Sequence, residues 1–265
     1  MNLKFLVCKS CNLKCNYCHN EFQGDTSGLT YDQQYSFVEN KIHSLIEKKL
    51  DINKFDLFKI SGGEPFLRPK QISLLLKIAN EYSKKKIILS NLTIYNSMIL
   101  ETIILMGVNE IRVNLPSFNY KEYSKITGCS RSYFDNIFKN ISILQKHNIN
   151  IRLNIVVSKP IESSLYSYIK TYLEKAISIN IFKEVRFIVD ERSKNKDVML
   201  YEIFKILSDI TSAIGEERRG RIIDFKYNNT IISLSHCVVG NKTSDIYIVP
   251  PGVILKNYEM GKAYD

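Results

Sequence analysis

The sequence predicts an α/β protein built as an open, partial (β/α)6 barrel with a small β-rich extension at its C-terminus. Three observations carry that expectation. Short apolar or β-branched runs alternate with longer amphipathic stretches six times over, the connections between them are short, and from about Gly220 the pattern changes to paired short strands. Repeated β-then-α units with short connections imply parallel strands joined by right-handed crossovers. Six units are too few to close an eightfold barrel, and in such folds the chemistry sits at the C-terminal ends of the strands.

The expected strands are Leu3–Val7, Phe55–Ile60, Lys86–Leu89, Glu110–Leu115, Asn150–Val157 and Glu184–Val189. The amphipathic segments between and after them are Asp32–Lys49, Pro69–Lys84, Ile94–Met106, Ser132–His147, Ser163–Ile177 and Asp197–Ile214. In Ser132–His147 the apolar residues Phe134, Ile137, Phe138, Ile141 and Leu144 fall at three- and four-residue steps, as on a half-buried helix. Beyond Gly220, Arg221–Tyr227 and Thr230–Ser235 read as a hairpin around Asn228-Asn229. Asp245–Val249 and Val253–Asn257, around Pro250-Pro251-Gly252, read as a second. The expected organisation is a barrel over residues 1–215 and a β-rich cap over 216–265, part of the same unit.

At 265 residues the chain can bury a full core, and 45% hydrophobic with 24% charged residues is ordinary for a globular protein. No apolar run reaches the length of a membrane span, and MNLKFLVCKSC turns polar too early for a signal peptide, so a cytoplasmic location with no membrane partner is expected. The net charge of +10 comes from 37 Lys and Arg against 27 Asp and Glu. Those lysines are spread along helices, with no nucleic-acid-binding signature beside them, so nucleic acid is not the expected partner.

Four of six cysteines, Cys8, Cys11, Cys15 and Cys18, lie within eleven residues; Cys129 and Cys237 stand apart. A tight N-terminal cluster of this kind argues for metal, not for a disulfide scaffold. Cys11, Cys15 and Cys18 have the spacing C-x3-C-x2-C. Three thiolates on one loop can hold three irons of a cubane cluster and leave the fourth iron open. The competing reading is zinc, since Cys8/Cys11 and Cys15/Cys18 form two C-x2-C pairs and His19 adds a further ligand type, although zinc motifs separate such pairs by a longer loop. Cys8, near the end of the first strand, reads as a packing residue.

Directly after the second strand comes Ser61-Gly62-Gly63-Glu64-Pro65. Glycines let the backbone approach a ligand closely, and a carboxylate can accept from an ammonium group. With an aromatic residue, Tyr17, before the last cysteine, the pair of motifs resembles the signature of the radical S-adenosylmethionine (SAM) family. The resemblance implies a [4Fe-4S] cluster on Cys11, Cys15 and Cys18 and a bound SAM, with Tyr17, Gly62, Gly63 and Glu64 among the cofactor-binding residues. It also implies reductive cleavage of SAM to a 5′-deoxyadenosyl radical. Ile111–Leu115 with Tyr123–Gly128, and Asn150–Val157, resemble the fourth and fifth strands of the branch that holds the molybdenum-cofactor GTP cyclase and peptide-modifying maturases. The resemblance spans roughly residues 5 to 190 and places Asn114 and Arg152 or Asn154 at the ribose and carboxylate of SAM.

The departures are specific. Ser90-Asn91-Leu92 stands where the family often has Thr-Asn-Gly, and Asn114-Leu115-Pro116 where it often has Ser-Leu-Asp, which implies an altered adenosine pocket. Only Cys237 lies where the branch carries auxiliary-cluster cysteines, so one cluster is expected and the GTP cyclase activity is not. His236-Cys237 resembles a remnant of that region; Cys237 is either a packing residue or a catalytic hydrogen-atom donor in an epimerisation. The expected protein is an enzyme acting on a small polar metabolite, such as an aminosugar, nucleoside or antibiotic intermediate, with electrons from a flavodoxin or ferredoxin. The alternatives are a peptide-modifying maturase and a non-enzymatic zinc or iron–sulfur protein.

Overall fold

A computed structural model describes residues 2–8, 10–18, 33, 36, 44, 46, 55–157, 164–190, 193–213, 215–218, 222–236, 245–249 and 253–256. Six strands follow the expected order: β1 (Asn2–Leu6), β2 (Leu57–Ser61), β3 (Lys86–Ser90), β4 (Glu110–Asn114), β5 (Asn150–Val157) and β6 (Phe182–Val189). The helices are α1 (Pro69–Tyr82), α2 (Ser97–Leu105), α3 (Tyr120–Thr127), α4 (Arg131–Lys146), α5 (Leu165–Ile179) and α6 (Lys196–Thr211). Of the expected helix Asp32–Lys49, the four described positions Gln33, Ser36, Ser44 and Ile46 are helical. Local chemistry sets the ends. α2 starts at Ser97, not Ile94, because the Asn96 side chain accepts from Ile99 N at 3.1 Å. α5 runs on to Ile179 and stops where Asn180 takes the left-handed conformation, φ 51°.

The strands β1 to β6 pair in parallel with their sequence neighbours, as the βαβ pattern requires. The extension joins this sheet at both ends. β8 (Ile222–Tyr227) and β9 (Thr230–His236) form the expected hairpin, with Tyr227 opposite Thr230 and Asn228 at φ 53°. β9 then lies parallel to β6, while β7 (Glu216–Arg218) edges β8. The second hairpin, β10 (Asp245–Val249) with β11 (Val253–Lys256), places β10 parallel to β1. The sheet order is β11-β10-β1-β2-β3-β4-β5-β6-β9-β8-β7, with the six barrel strands in its middle.

Alternation along each strand sorts the two faces. Phe5, Phe58, Ile60, Ile111, Val113, Leu153, Ile155, Val185 and Phe187 are buried in one continuous core with the apolar sides of the helices. The opposite, concave face carries Glu110, Arg112 and Asn114 on β4, Arg152 and Asn154 on β5, Glu184 and Arg186 on β6, and Ser233 on β9. β6 has one irregularity: Ile151 pairs with Phe182 but Arg152 with Glu184, so Lys183 is skipped. That bulge keeps Phe182 and Val185 both in the core and turns Glu184 to the concave face.

The turn after β4 is pinned from α5. Tyr172 Oη donates to Leu115 O and Tyr168 Oη to Pro116 O, both at 2.6 Å. Tyr172 is buried, so Tyr172→Phe removes a hydroxyl from a site that water does not replace. Urea unfolding of this variant should show a loss of about 1–3 kcal/mol relative to the wild type, with an unchanged slope.

Candidate functional site

The cysteine loop leaves the C-terminal end of β1 and is held on three sides. From β2, Gly63 N donates to Cys8 O at 2.7 Å and Glu64 N to Ser10 O at 2.9 Å. Gly62 sits so close to this backbone that a Cβ would fall 2.5 Å from Cys8 O, at a φ of 150° that side-chain-bearing residues rarely adopt. From α3, the Thr127 and Ile126 carbonyls accept from Lys14 N at 2.9 Å and Asn16 N at 3.0 Å. From the turn after β3, Asn91 Nδ2 donates to Asn12 Oδ1 at 3.0 Å and approaches Cys11 Sγ at 3.8 Å, while Asn12 Nδ2 donates to Thr93 Oγ1 at 2.7 Å.

Cys11, Cys15 and Cys18 are partly buried thiols outside any disulfide and within electrostatic reach of one another. Burial pushes the thiols up, to about 11 for Cys11 and about 12 for Cys15, so a bound metal must displace their protons. Cys8 is buried and its Sγ lies 3.4 Å from both Ser10 O and Glu64 O, which is the packing role expected of it. Tyr17 is buried beneath the loop. Its hydroxyl bonds to the Cys15 thiol and accepts from Asn114 Nδ2, which ties the loop to the end of β4.

Glu64 is fully buried. Oε1 accepts from Phe66 N at 2.9 Å and Ser90 Oγ at 2.8 Å, and Oε2 from Asn91 N at 2.7 Å. Burial raises its carboxyl to about 7 despite these three donors. The carboxylate therefore links β2 to β3, and the part of this motif that meets the cysteine loop is the Gly62-Gly63-Glu64 backbone.

Asn114 and Asn154 stand directly opposite each other on β4 and β5. Each keeps a buried Oδ1 with no partner. Among the described residues no three His, Cys, Asp or Glu side chains are drawn together closely enough to hold a metal ion as they stand. Cys11, Cys15 and Cys18 nevertheless share one loop within electrostatic reach of one another. The two orphan acceptors, tied to that loop through Tyr17 and Asn114, fit a cofactor that brings ammonium or hydroxyl donors. Arg152 lies one rung deeper, on the concave face between Glu110 and Glu184, apart from the Tyr17–Asn114 contact. Cys237 and His19 lie outside the described residues. The buried Tyr123 hydroxyl of α3 also lacks a partner and lies within electrostatic reach of Cys129, Cys15, Glu64 and Cys11.

Sequence reasoning gave no role to Asn12 or Thr93 and marked Asn91 only as part of the altered Ser90-Asn91-Leu92 segment. It matched Tyr123–Gly128 to the family without reading α3 as the helix whose carbonyls hold the loop. A signal for α3 was present: Asn119 caps its start, accepting from Lys121 N at 2.9 Å, and Gly128 ends it at φ 68°.

The model of the radical SAM superfamily matches residues 5–161, more than half of the chain. The protein named "Probable GTP 3',8-cyclase" from Pyrococcus abyssi is 28% identical over 160 residues, covering 60% of this chain and 48% of that protein. The GTP 3′,8-cyclase of Synechocystis sp. is 26% identical over 159 residues, covering 60% and 46%. The chain spans about half the length of these curated relatives. Among solved structures, SuiB of Streptococcus suis bound to S-adenosylmethionine superposes with a TM-score of 0.64 at 15% identity, over 96% of this chain and 59% of that one. That likeness is one of fold.

The contact of Gly62 with Cys8 makes a direct prediction. Gly62→Ala forces a methyl group against a backbone oxygen and should destabilise the protein by about 1–3 kcal/mol. Iron bound per chain after anaerobic reconstitution should fall with it, measured by metal analysis of the refolded monomer fraction.

Proposed function

This chain belongs to the radical SAM superfamily, which uses a [4Fe-4S] cluster and SAM, and from that premise we propose that it abstracts hydrogen from a small polar metabolite. In this reading Cys11, Cys15 and Cys18 ligate the cluster. Tyr17, Asn114 and Asn154 face the SAM, and the Gly62-Gly63-Glu64 backbone supports the loop that carries both. When bound, the reduced cluster and SAM supply a 5′-deoxyadenosyl radical. The residues of the chain hold the loop, keep the thiols together, and present the two asparagine oxygens to the donors of the ligand. The observation that carries the reading is the loop of Cys11, Cys15 and Cys18 tied through Tyr17 to Asn114, whose Oδ1, like that of Asn154 opposite it, is buried without a partner. The name of the sequence relatives adds purine nucleotides to the aminosugars, nucleosides and antibiotic intermediates considered as substrates.

The reaction we favour is epimerisation. A substrate C–H bond gives its hydrogen atom to the 5′-deoxyadenosyl radical, and the Cys237 thiol returns a hydrogen atom to the opposite face. The thiyl radical that remains takes one electron and one proton, the electron from a flavodoxin or ferredoxin. A peptide substrate is the second reading, supported by the fold shared with SuiB, which has also been solved with its precursor peptide.

The central experiment is anaerobic. Protein reconstituted with iron and sulfide, then given dithionite and SAM with a panel of metabolites, should produce 5′-deoxyadenosine, and Cys15→Ala should produce none. Wild-type protein that holds zinc but no iron, and yields no 5′-deoxyadenosine, would overturn the assignment of these residues. For the finer reading, turnover in deuterated water should place deuterium at the inverted carbon, and Cys237→Ala should consume substrate without giving that product. Full epimer formation by Cys237→Ala, with solvent deuterium retained, sinks the donor role.

A further inference from the structure

The hydroxyl of Tyr123, on α3, is a donor with nothing to donate to. The ring is fully buried, packed on Phe134 of α4 with 5.0 Å between centroids, and Oη has no hydrogen-bond partner. A buried tyrosine hydroxyl usually finds one, and leaving the bond unmade costs about 1–3 kcal/mol. Phenylalanine would fill the same space without that cost. The hydroxyl therefore points to an acceptor that arrives with a ligand.

Its place in the fold narrows the choice. Tyr123 lies one helical turn before Ile126 and Thr127, whose carbonyls accept from Asn16 N and Lys14 N. Those two amides flank Cys15, so α3 grips the loop on either side of that thiol. Thr127 Oγ1 donates to Tyr123 O at 2.7 Å and Tyr123 N to Asn119 O at 2.9 Å, which fixes the helix that carries the ring. The hydroxyl is within electrostatic reach of Cys129, Cys15, Glu64 and Cys11 and bonds to none of them. Glu64 already accepts from Phe66 N, Ser90 Oγ and Asn91 N, and the Cys129 thiol donates to Ser130 O at 3.3 Å. Cys15 and Cys11 remain, both from the cluster motif.

The chemistry of the acceptor follows. A thiol sulfur accepts weakly and gives the hydroxyl little to bond to. Bound to iron the same sulfurs are thiolates, and hydrogen bonds to charged acceptors are about twice as strong as neutral ones. Burial raises the Tyr123 phenol well above its usual range, so it keeps its proton and remains a donor. Hydrogen bonds to the sulfurs of an iron–sulfur centre favour its more negative, reduced form and so raise its potential.

We propose that the Tyr123 hydroxyl donates a hydrogen bond to a sulfur of the bound cluster on the Cys15 side, and that this bond raises the reduction potential of the cluster. The inference rests on the assignment of Cys11, Cys15 and Cys18 as the cluster ligands. Reduction brings one electron from the flavodoxin or ferredoxin, and the phenol keeps its proton throughout.

Tyr123→Phe removes one oxygen and leaves the ring. Thermal melts of the full-length, metal-free chain should show the variant as stable as the wild type or more so, because no bond is lost. After anaerobic reconstitution, potentiometric titration followed by the electron paramagnetic resonance signal of the reduced cluster should place the variant's midpoint lower. The expected change is about tenfold less reduced cluster at the same ambient potential, ~59 mV for a one-electron couple. A change under about threefold, or a higher midpoint, overturns the donor role and leaves the cluster and its ligands standing. A lower Tm of the metal-free variant assigns the hydroxyl to the fold and also overturns it. Loss of iron from the variant at an unchanged metal-free Tm supports the contact, since only the loaded state has then been weakened. A wild type that takes up no iron removes the acceptor, and the ligand assignment fails together with the proposal.

Discussion

Three donors from two strand ends converge on one buried carboxylate, that of Glu64: Phe66 N, Ser90 Oγ and Asn91 N. Parallel strands have no hairpin to fix where one ends relative to the next, and their slanted ladders stop at the sheet edge. Glu64 extends the β2–β3 pairing beyond the ladder through side-chain chemistry. The same bond fixes the backbone of Asn91, whose side chain then reaches Asn12 and Cys11. The geometry of the thiols therefore depends on a carboxylate that is one strand removed from them. Burial raises its proton affinity, yet hydrogen bonds to a charged acceptor are about twice as strong as neutral ones, which is how so many converging donors are held.

Much of this arrangement could be read from the sequence, because its parts are contiguous. Cys11, Cys15 and Cys18 share one loop, Gly62-Gly63-Glu64 share one turn, and apolar and amphipathic runs alternate six times along the chain. The two hairpins were also legible, since an antiparallel pair joined by a short turn finds its partner locally. Which barrel strand each hairpin would join was not legible. Nothing in Thr230–His236 points to β6, or in Asp245–Val249 to β1; that choice is made by the whole sheet.

The concave face was legible only in part, for the same reason. Alternation places Asn114, Arg152 and Asn154 on strands but does not say which residue faces which across the ladder. The resemblance put Asn114 and Arg152 or Asn154 with the cofactor. Register places Asn154 opposite Asn114, which holds Tyr17, and Arg152 opposite Arg112 and Glu184. The skipped Lys183 decides the second contact, and a bulge of one residue has no signature in a run such as Phe-Lys-Glu-Val. Glu184, held to about 2 by Arg186 and Arg152 even though burial works against it, is ionised throughout the physiological range. It is a permanent counter-charge shared between Arg186, on Oε1, and Arg152, 3.6 Å from Oε2.

The turn after β3 shows how a departure from the family pattern is accommodated. Leu92 takes φ 55°, the left-handed conformation, at the place where the family often has glycine. A side chain there costs about 1–2 kcal/mol. Leu92 is wholly buried in the core, and a fully buried leucine returns about 1.5–3 kcal/mol. The neighbouring carbonyls are held as well: Asn140 Nδ2 donates to Leu92 O at 2.8 Å and Ile94 O at 3.0 Å, and Asn136 Nδ2 to Thr93 O at 3.0 Å. These donors come from α4, in the next βα unit along the chain. The strained turn is thus over-determined from both sides, by Glu64 before it and α4 behind it. A glycine would adopt the same conformation without strain but would leave the core unfilled and the turn freer to move. Leucine converts a permissive turn into a rigid one, and rigidity at this point is what keeps Asn91 against Cys11 and Asn12.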